Sequence, residues 1–131
     1  MDRVFLDANV LFSAAYREGA GLARLWELDG VQLISSGYAA EEARRNLKDG
    51  GQQDRLAKLL SAIELVPEAD PRSTAEDVPL PEKDRPILYA AARARATHLL
   101  TGDVTHCGRF FGRRADGVLI LPPSAYLRSR S

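Results

Sequence analysis

Three aspartates stand where an α/β chain brings side chains to one place. Asp7 closes the apolar run RVFL, Asp84 opens the helix-like stretch RPILYAA, and Asp103 follows HLLTG. Each alone has a plain structural role. Asp is among the best helix N-caps, because its carboxylate accepts the free backbone N–H groups of the first turn. Together they carry a second implication. Strand ends and helix starts share one edge of a parallel sheet. Carboxylates gathered there repel one another and raise one another's pKa unless a cation intervenes. A site of oxygen ligands alone suits Mg²⁺ or Mn²⁺. Such ions can activate a bound water and neutralise negative oxygens, so chemistry at a site of this kind needs no protein nucleophile.

A fourth acid comes from YAAEEARRNL. Ala39, Ala43 and Leu47 recur at a spacing of four, which marks the buried stripe of a helix. Glu42 lies beside that stripe, whereas Glu41 is turned about 100° away. Glu42 is therefore the acid expected to reach inward. The competing reading is that both are solvated and pair with Arg44 or Arg45, three to four residues on. Other chemistries lack their signatures. The chain has no Gly-x-Ser-x-Gly elbow, and no phosphate-binding loop or dinucleotide fingerprint. The single Cys, Cys107, excludes an internal disulfide and a four-thiolate zinc site, and reads as a small buried apolar residue.

The elements that must position these acids follow from the hydropathy pattern. RVFLD (3–7), VQLIS (31–35), THLLTGD (97–103) and GVLILPP (117–123) read as strands, and IELVP (63–67) as a short one. ANVLFSAAY, LARLWEL (22–28), YAAEEARRNLKD (38–49), QQDRLAKLLSA (52–62) and DRPILYAAARARA (84–96) read as helices. The stretch 68–83 is polar and rich in Pro, and reads as an exposed loop. VTHCGRFF reads as a short helix or loop, and the two prolines at 122 and 123 as the stop of the last strand. Alternating strands and helices predict one α/β domain over 1–131 with a mainly parallel sheet of four or five strands.

Composition agrees with one ordinary domain. The 131 residues are 45% apolar and 27% charged, which excludes a disordered chain, and no apolar run approaches a membrane span. The start MDRVFLDANV carries two acids rather than a basic signal sequence, so a soluble cytoplasmic protein is expected. The formal net charge is zero but uneven. Residues 1–84 hold 16 acids and 10 bases, and residues 85–131 hold 2 acids and 8 bases, all Arg. An Arg-rich segment beside an acidic one fits a phosphate-binding surface next to a metal site, or simply an uneven solvated surface.

Four segments taken in order, FLDANVLFSAA, YAAEEARRNL, DRPILYAAARA and LLTGDVTHCGRF, resemble the PIN-domain nucleases. That family includes the ribonuclease toxins of bacterial toxin–antitoxin pairs, and the resemblance spans essentially the whole chain. It implies a metal-dependent ribonuclease with Asp7, Glu42, Asp84 and Asp103 as the catalytic and metal-binding acids. Asn9 and Thr101 become supporting polar groups, and Mg²⁺ or Mn²⁺ the cofactor. It further implies an RNA substrate, a cognate antitoxin protein and a homodimer. LARLWEL, with Trp26, offers apolar surface for that dimer or for the core.

One departure stands out. Many family members carry a further acid two residues after the Thr-Gly-Asp aspartate, where this chain has Thr105 and then His106. A weaker second metal position is expected, with Thr105 placed to hold a water and His106 to meet a phosphate. Arg109, Arg113 and Arg114 are the bases nearest in sequence for holding an RNA backbone. The same departure keeps open a PIN-like module that binds RNA or protein without cutting. If Asp7 is a metal ligand, Asp7→Asn is expected to leave the metal-free protein at least as stable as the parent, through relief of repulsion.

Overall fold

The computed structural model describes residues 1–67, 85–103 and 107–130. Its centre is β1 (Asp2–Leu6). Val4, Phe5 and Leu6 are fully buried, as expected of a strand covered on both faces, where an unbroken apolar run replaces alternation. β2 (Val31–Ser36) and β3 (Glu64–Val66) extend the sheet on one side, and β4 (His98–Leu100) and β6 (Val118–Leu121) on the other, all parallel. β5 (Arg114–Ala115) pairs antiparallel with β6 at the far edge. The resulting order is β3-β2-β1-β4-β6-β5.

The sheet holds the four or five expected strands and one more. β5 is two residues long, too short for a hydropathy signal, but its turn was written in the sequence. Asp116 and Gly117 both take positive φ, 52° and 80°, the pattern of a two-residue hairpin turn for which Asp-Gly is favoured.

Five helices flank the sheet among the described residues: α1 (Ala8–Ala15), α2 (Gly37–Asn46), α3 (Gly50–Ser61), α4 (Arg85–Arg93) and α5 (Pro123–Ser129). α2 starts where Ser36 Oγ accepts the Ala39 N–H at 3.2 Å. Gly50 and Gly51 do not separate α2 from α3 as a break. They form the first turn of α3, because Asp49 and Gln52 make a capping box around them.

LARLWEL is a 3-10 helix (Gly21–Glu27) rather than an α-helix. Seven residues wound this way span ~14 Å instead of ~10 Å, which suits a connection that must carry the chain from α1 back to β2. Trp26 packs against the core and its Nε1 donates to Leu59 O at 3.0 Å. The prolines that end β6 also begin α5, with Pro123 at its first position, where no N–H is needed. Tyr126 of α5 is buried, and its hydroxyl donates to Asp2 Oδ2 at 2.7 Å. No helix among the described residues is long and apolar enough to cross a membrane. The expected loop at 68–83 lies outside the described residues.

From β1 the chain builds outward to β2 and β3 on one side, then returns to lay β4 and β6 on the other. The reversal falls between β1 and β4. At such a switch point the loops leaving two neighbouring strands part in opposite directions and open a crevice at the strands' carboxyl ends. Asp7 leaves β1 at that edge, and Thr101, Gly102 and Asp103 leave β4 beside it.

Candidate active site

Asp7 joins β1 to α1 without a loop. Its N–H still extends the sheet, donating to Leu100 O at 3.1 Å, while its carboxylate caps the helix by accepting the Ala8 N–H at 2.7 Å through Oδ1. Oδ2 accepts from the Thr101 hydroxyl at 2.9 Å and from Asn9 Nδ2 at 3.2 Å. The side chain is 9% exposed.

This network leaves little freedom. Thr101 Oγ1 gives its only proton to Asp7 and accepts from Asn9 Nδ2 and the Asp103 N–H, both at 3.2 Å. Asn9 Oδ1 accepts the Gly102 N–H at 2.7 Å, which sets the amide orientation. The approach is close enough that a Cβ on Gly102 would lie 3.3 Å from Asn9 Oδ1, so a Gly suits this turn. The turn carrying Asp103 is thereby tied to the start of α1, although the two are more than 90 residues apart in sequence.

α1, α2, α4 and the Asp103 turn enclose a cleft of about 440 Å³. Asp7, Glu42 and Asp103 all line it, with Asn9 and Asn46. Glu42 is half-buried, and Asn46 Nδ2 donates to its backbone carbonyl at 2.9 Å. Glu41 points to solvent and forms an ion pair with Arg44, whose side chain holds the Glu41 carboxyl below its usual pKa mainly through that hydrogen bond. Both arrangements considered for this pair thus occur, one on each glutamate. Among the described residues, no three acidic, His or Cys side chains stand close enough to form a ready-made ion cage. The carboxylates share an open cleft instead.

Asp84, Thr105 and His106 lie outside the described residues. α4, whose first residue follows Asp84 in sequence, sends Ile87 into the cleft. Arg109, Arg113 and Arg114 are exposed and none of them lines the cleft. Arg114 pairs with Leu119, which is also the partner of His98, the first residue of β4. That register puts Arg114 at the strands' amino edge, opposite the cleft. Cys107 is buried, as expected of an apolar residue. Sequence reasoning passed over Phe12 and Tyr38, which also line the cleft. Their spacing was the available signal: Tyr38 is one helical turn before Glu42, and Phe12 one turn after Asn9.

A comparison with protein-family models matches residues 3–105 to the PIN domain. The chain belongs to the PIN-domain family. PIN domains are generally nucleases, so the switch-point cleft of this PIN domain sits in a nuclease-type fold. The matched segment runs from β1 to Thr105, and the β5–β6 hairpin and α5 follow it. Comparison with curated proteins found none that matches the chain.

Proposed function

We propose that this PIN domain is a metal-dependent endoribonuclease, with Asp7, Glu42, Asp84 and Asp103 as its acids and Mg²⁺ or Mn²⁺ as its cofactor. The observation that supports this reading is the meeting of Asp7, Glu42 and Asp103, from three separate elements, in one cleft at the switch point. The donor set fits the ion. It is made of oxygens alone, and a hard divalent ion such as Mg²⁺ keeps several of its waters, so an open cleft with spaced carboxylates suits it better than a tight cage. Once bound, the ion supplies charge neutralisation at the phosphoryl oxygens and lowers the pKa of water.

The chain's residues do the rest. Thr101 and Asn9 hold Asp7 Oδ2 in place by donating to it, so the carboxylate would meet an ion without first having to be ordered. Asn9 also holds the Gly102 N–H and so fixes the turn bearing Asp103. Phe12 and Ile87 give the cleft apolar walls, which strengthen the electrostatic interactions within it.

The toxin role, with an antitoxin partner, rests on the resemblance of the four segments, and an adjacent reading frame encoding a DNA-binding protein tests it. Sedimentation at micromolar concentration tests the homodimer. The activity itself is tested with metal-stripped protein and a labelled RNA, by adding Mg²⁺ or Mn²⁺ and then EDTA. Cutting that appears with metal and stops with EDTA is expected. Binding without cutting in either ion refutes the ribonuclease and supports the non-cleaving module.

A further inference from the structure

The acids and the apolar walls account for most of the cleft's lining and leave Tyr38 without a role. α2 places Tyr38 four residues ahead of Glu42, one turn along the same face, and both line the cleft. α1 brings Phe12 to the same cleft. Phe12 is packed against the core, and its ring meets that of Tyr16 with centroids 5.3 Å apart and planes tilted by 42°. Tyr38 differs from it. It is 42% exposed, and no hydrogen bond to its hydroxyl is present among the described residues.

A polyanion entering this cleft meets three carboxylates. Attraction that does not depend on charge is therefore valuable at its rim. An aromatic face supplies it, because every nucleobase has a π-face that stacks on a Tyr ring whatever its sequence. A base within a duplex already has both faces covered, so only an unpaired base can use such a platform.

Building on the ribonuclease reading, we propose that Tyr38, in the cleft that Phe12 also lines, stacks a nucleobase of the RNA strand beside the bond that is cut. Tyr38 sets where along the strand the acids act. Its position one turn from Glu42 couples the two: a base seated on the ring brings its own phosphate towards the Glu42 side of the cleft.

A binding cycle tests this without any need for cleavage. A fluorescent hexaribonucleotide and six versions of it, each with one abasic position, are titrated by anisotropy in Ca²⁺ against the parent, Tyr38→Phe and Tyr38→Ala. At one position, loss of the base is expected to weaken binding to the parent and to Tyr38→Phe by about tenfold, within the range for base–aromatic stacking. The same abasic position should not weaken Tyr38→Ala further. Equal losses in the parent and Tyr38→Ala overturn the proposal, as does the absence of any sensitive position or of measurable binding to the intact strand. Thermal melting of Tyr38→Ala is expected to stay close to the parent, since Tyr38 is 42% exposed and lies outside the buried core. Cleavage of the intact strand by the parent in Mn²⁺ is read separately. Its absence removes the ribonuclease reading and leaves the outcome of the stacking cycle unchanged.

Discussion

Replacing Asp7 by Asn removes one charge and keeps the shape, yet it breaks the network around the side chain. In the parent, Oδ1 accepts the Ala8 N–H, and Oδ2 accepts from Thr101 and Asn9. An amide has one acceptor oxygen and one NH₂ group. If its oxygen stays on Ala8, the NH₂ faces the Asn9 NH₂ and the Thr101 hydroxyl. Thr101 Oγ1 already accepts from Asn9 and Asp103, so its own proton loses its acceptor. If the amide is reversed, the NH₂ faces the Ala8 N–H and α1 loses its cap. A hydrogen bond to a charged group contributes about 1.5–3 kcal/mol, and a buried donor left without a partner costs about 1–3 kcal/mol.

Relief of carboxylate repulsion offsets part of this loss. The expected net change in EDTA is a loss of about 1–3 kcal/mol. For a domain of this length each kcal/mol lowers the melting temperature by about 3–5 °C, so the drop should be readily measured. This reverses the expectation from sequence that the metal-free variant would be at least as stable as the parent. Calorimetry in EDTA and then in Mn²⁺ checks both parts. Saturation at a hundred times the dissociation constant stabilises the parent by about 2.7 kcal/mol, and the variant should gain much less, with RNA cleavage falling steeply. A variant that melts at or above the parent in EDTA refutes the network argument. An unchanged Mn²⁺ response with unchanged cleavage removes Asp7 from the ligand set.

Glu42→Gln should lower cleavage and the Mn²⁺-induced rise in melting temperature, whereas Glu41→Gln should leave both alone because Glu41 faces solvent beside Arg44; equal effects from the two would contradict the assignment. Tyr126→Phe deletes the hydroxyl bond to Asp2 and should cost about 1–2 kcal/mol in urea unfolding; an unchanged midpoint would show that α5 is held by packing alone. Burial is the main cause that holds the His98 pKa below its ordinary 6.5, with Arg114 and Arg130 adding to the effect and Asp2 opposing it. The unfolded chain therefore takes up this proton first. The stabilisation tied to neutral His98 is full above pH 6.5 and is lost as pH falls through the lower folded pKa. Unfolding at pH 7.5 and 5.5 should show a larger loss in the parent than in His98→Asn, and equal losses would exclude His98 as the cause.

Local pattern was enough for the strands within 3–7, 31–35, 97–103 and 117–123. A parallel strand covered on both faces has to be a continuous apolar run, whatever its neighbours are. The shared edge of Asp7 and Asp103 was legible for a related reason: alternating strands and helices with one crossover hand carry strand ends to a common edge. The short hairpin strand β5 escaped, since two residues acquire strand geometry only when β6 is there to pair with them, although Asp116-Gly117 marked the turn.

Other features were decided by distant partners. Pro122 and Pro123 both end β6 and begin α5, and what favours the helix is a burial place for Tyr126 against His98 and Asp2. Arg114 stands close in sequence to Asp103, yet pairing with Leu119 puts it at the opposite edge of the sheet. For Asp7 the sequence posed a choice between helix cap and ligand. The tertiary structure makes the two roles compatible, because a carboxylate has two oxygens. Oδ1 caps α1 locally, while Oδ2 is held by Thr101, 94 positions along the chain, in the cleft that Glu42 also lines. No local spacing encodes that second bond. It exists because β4 lies beside β1 in the sheet.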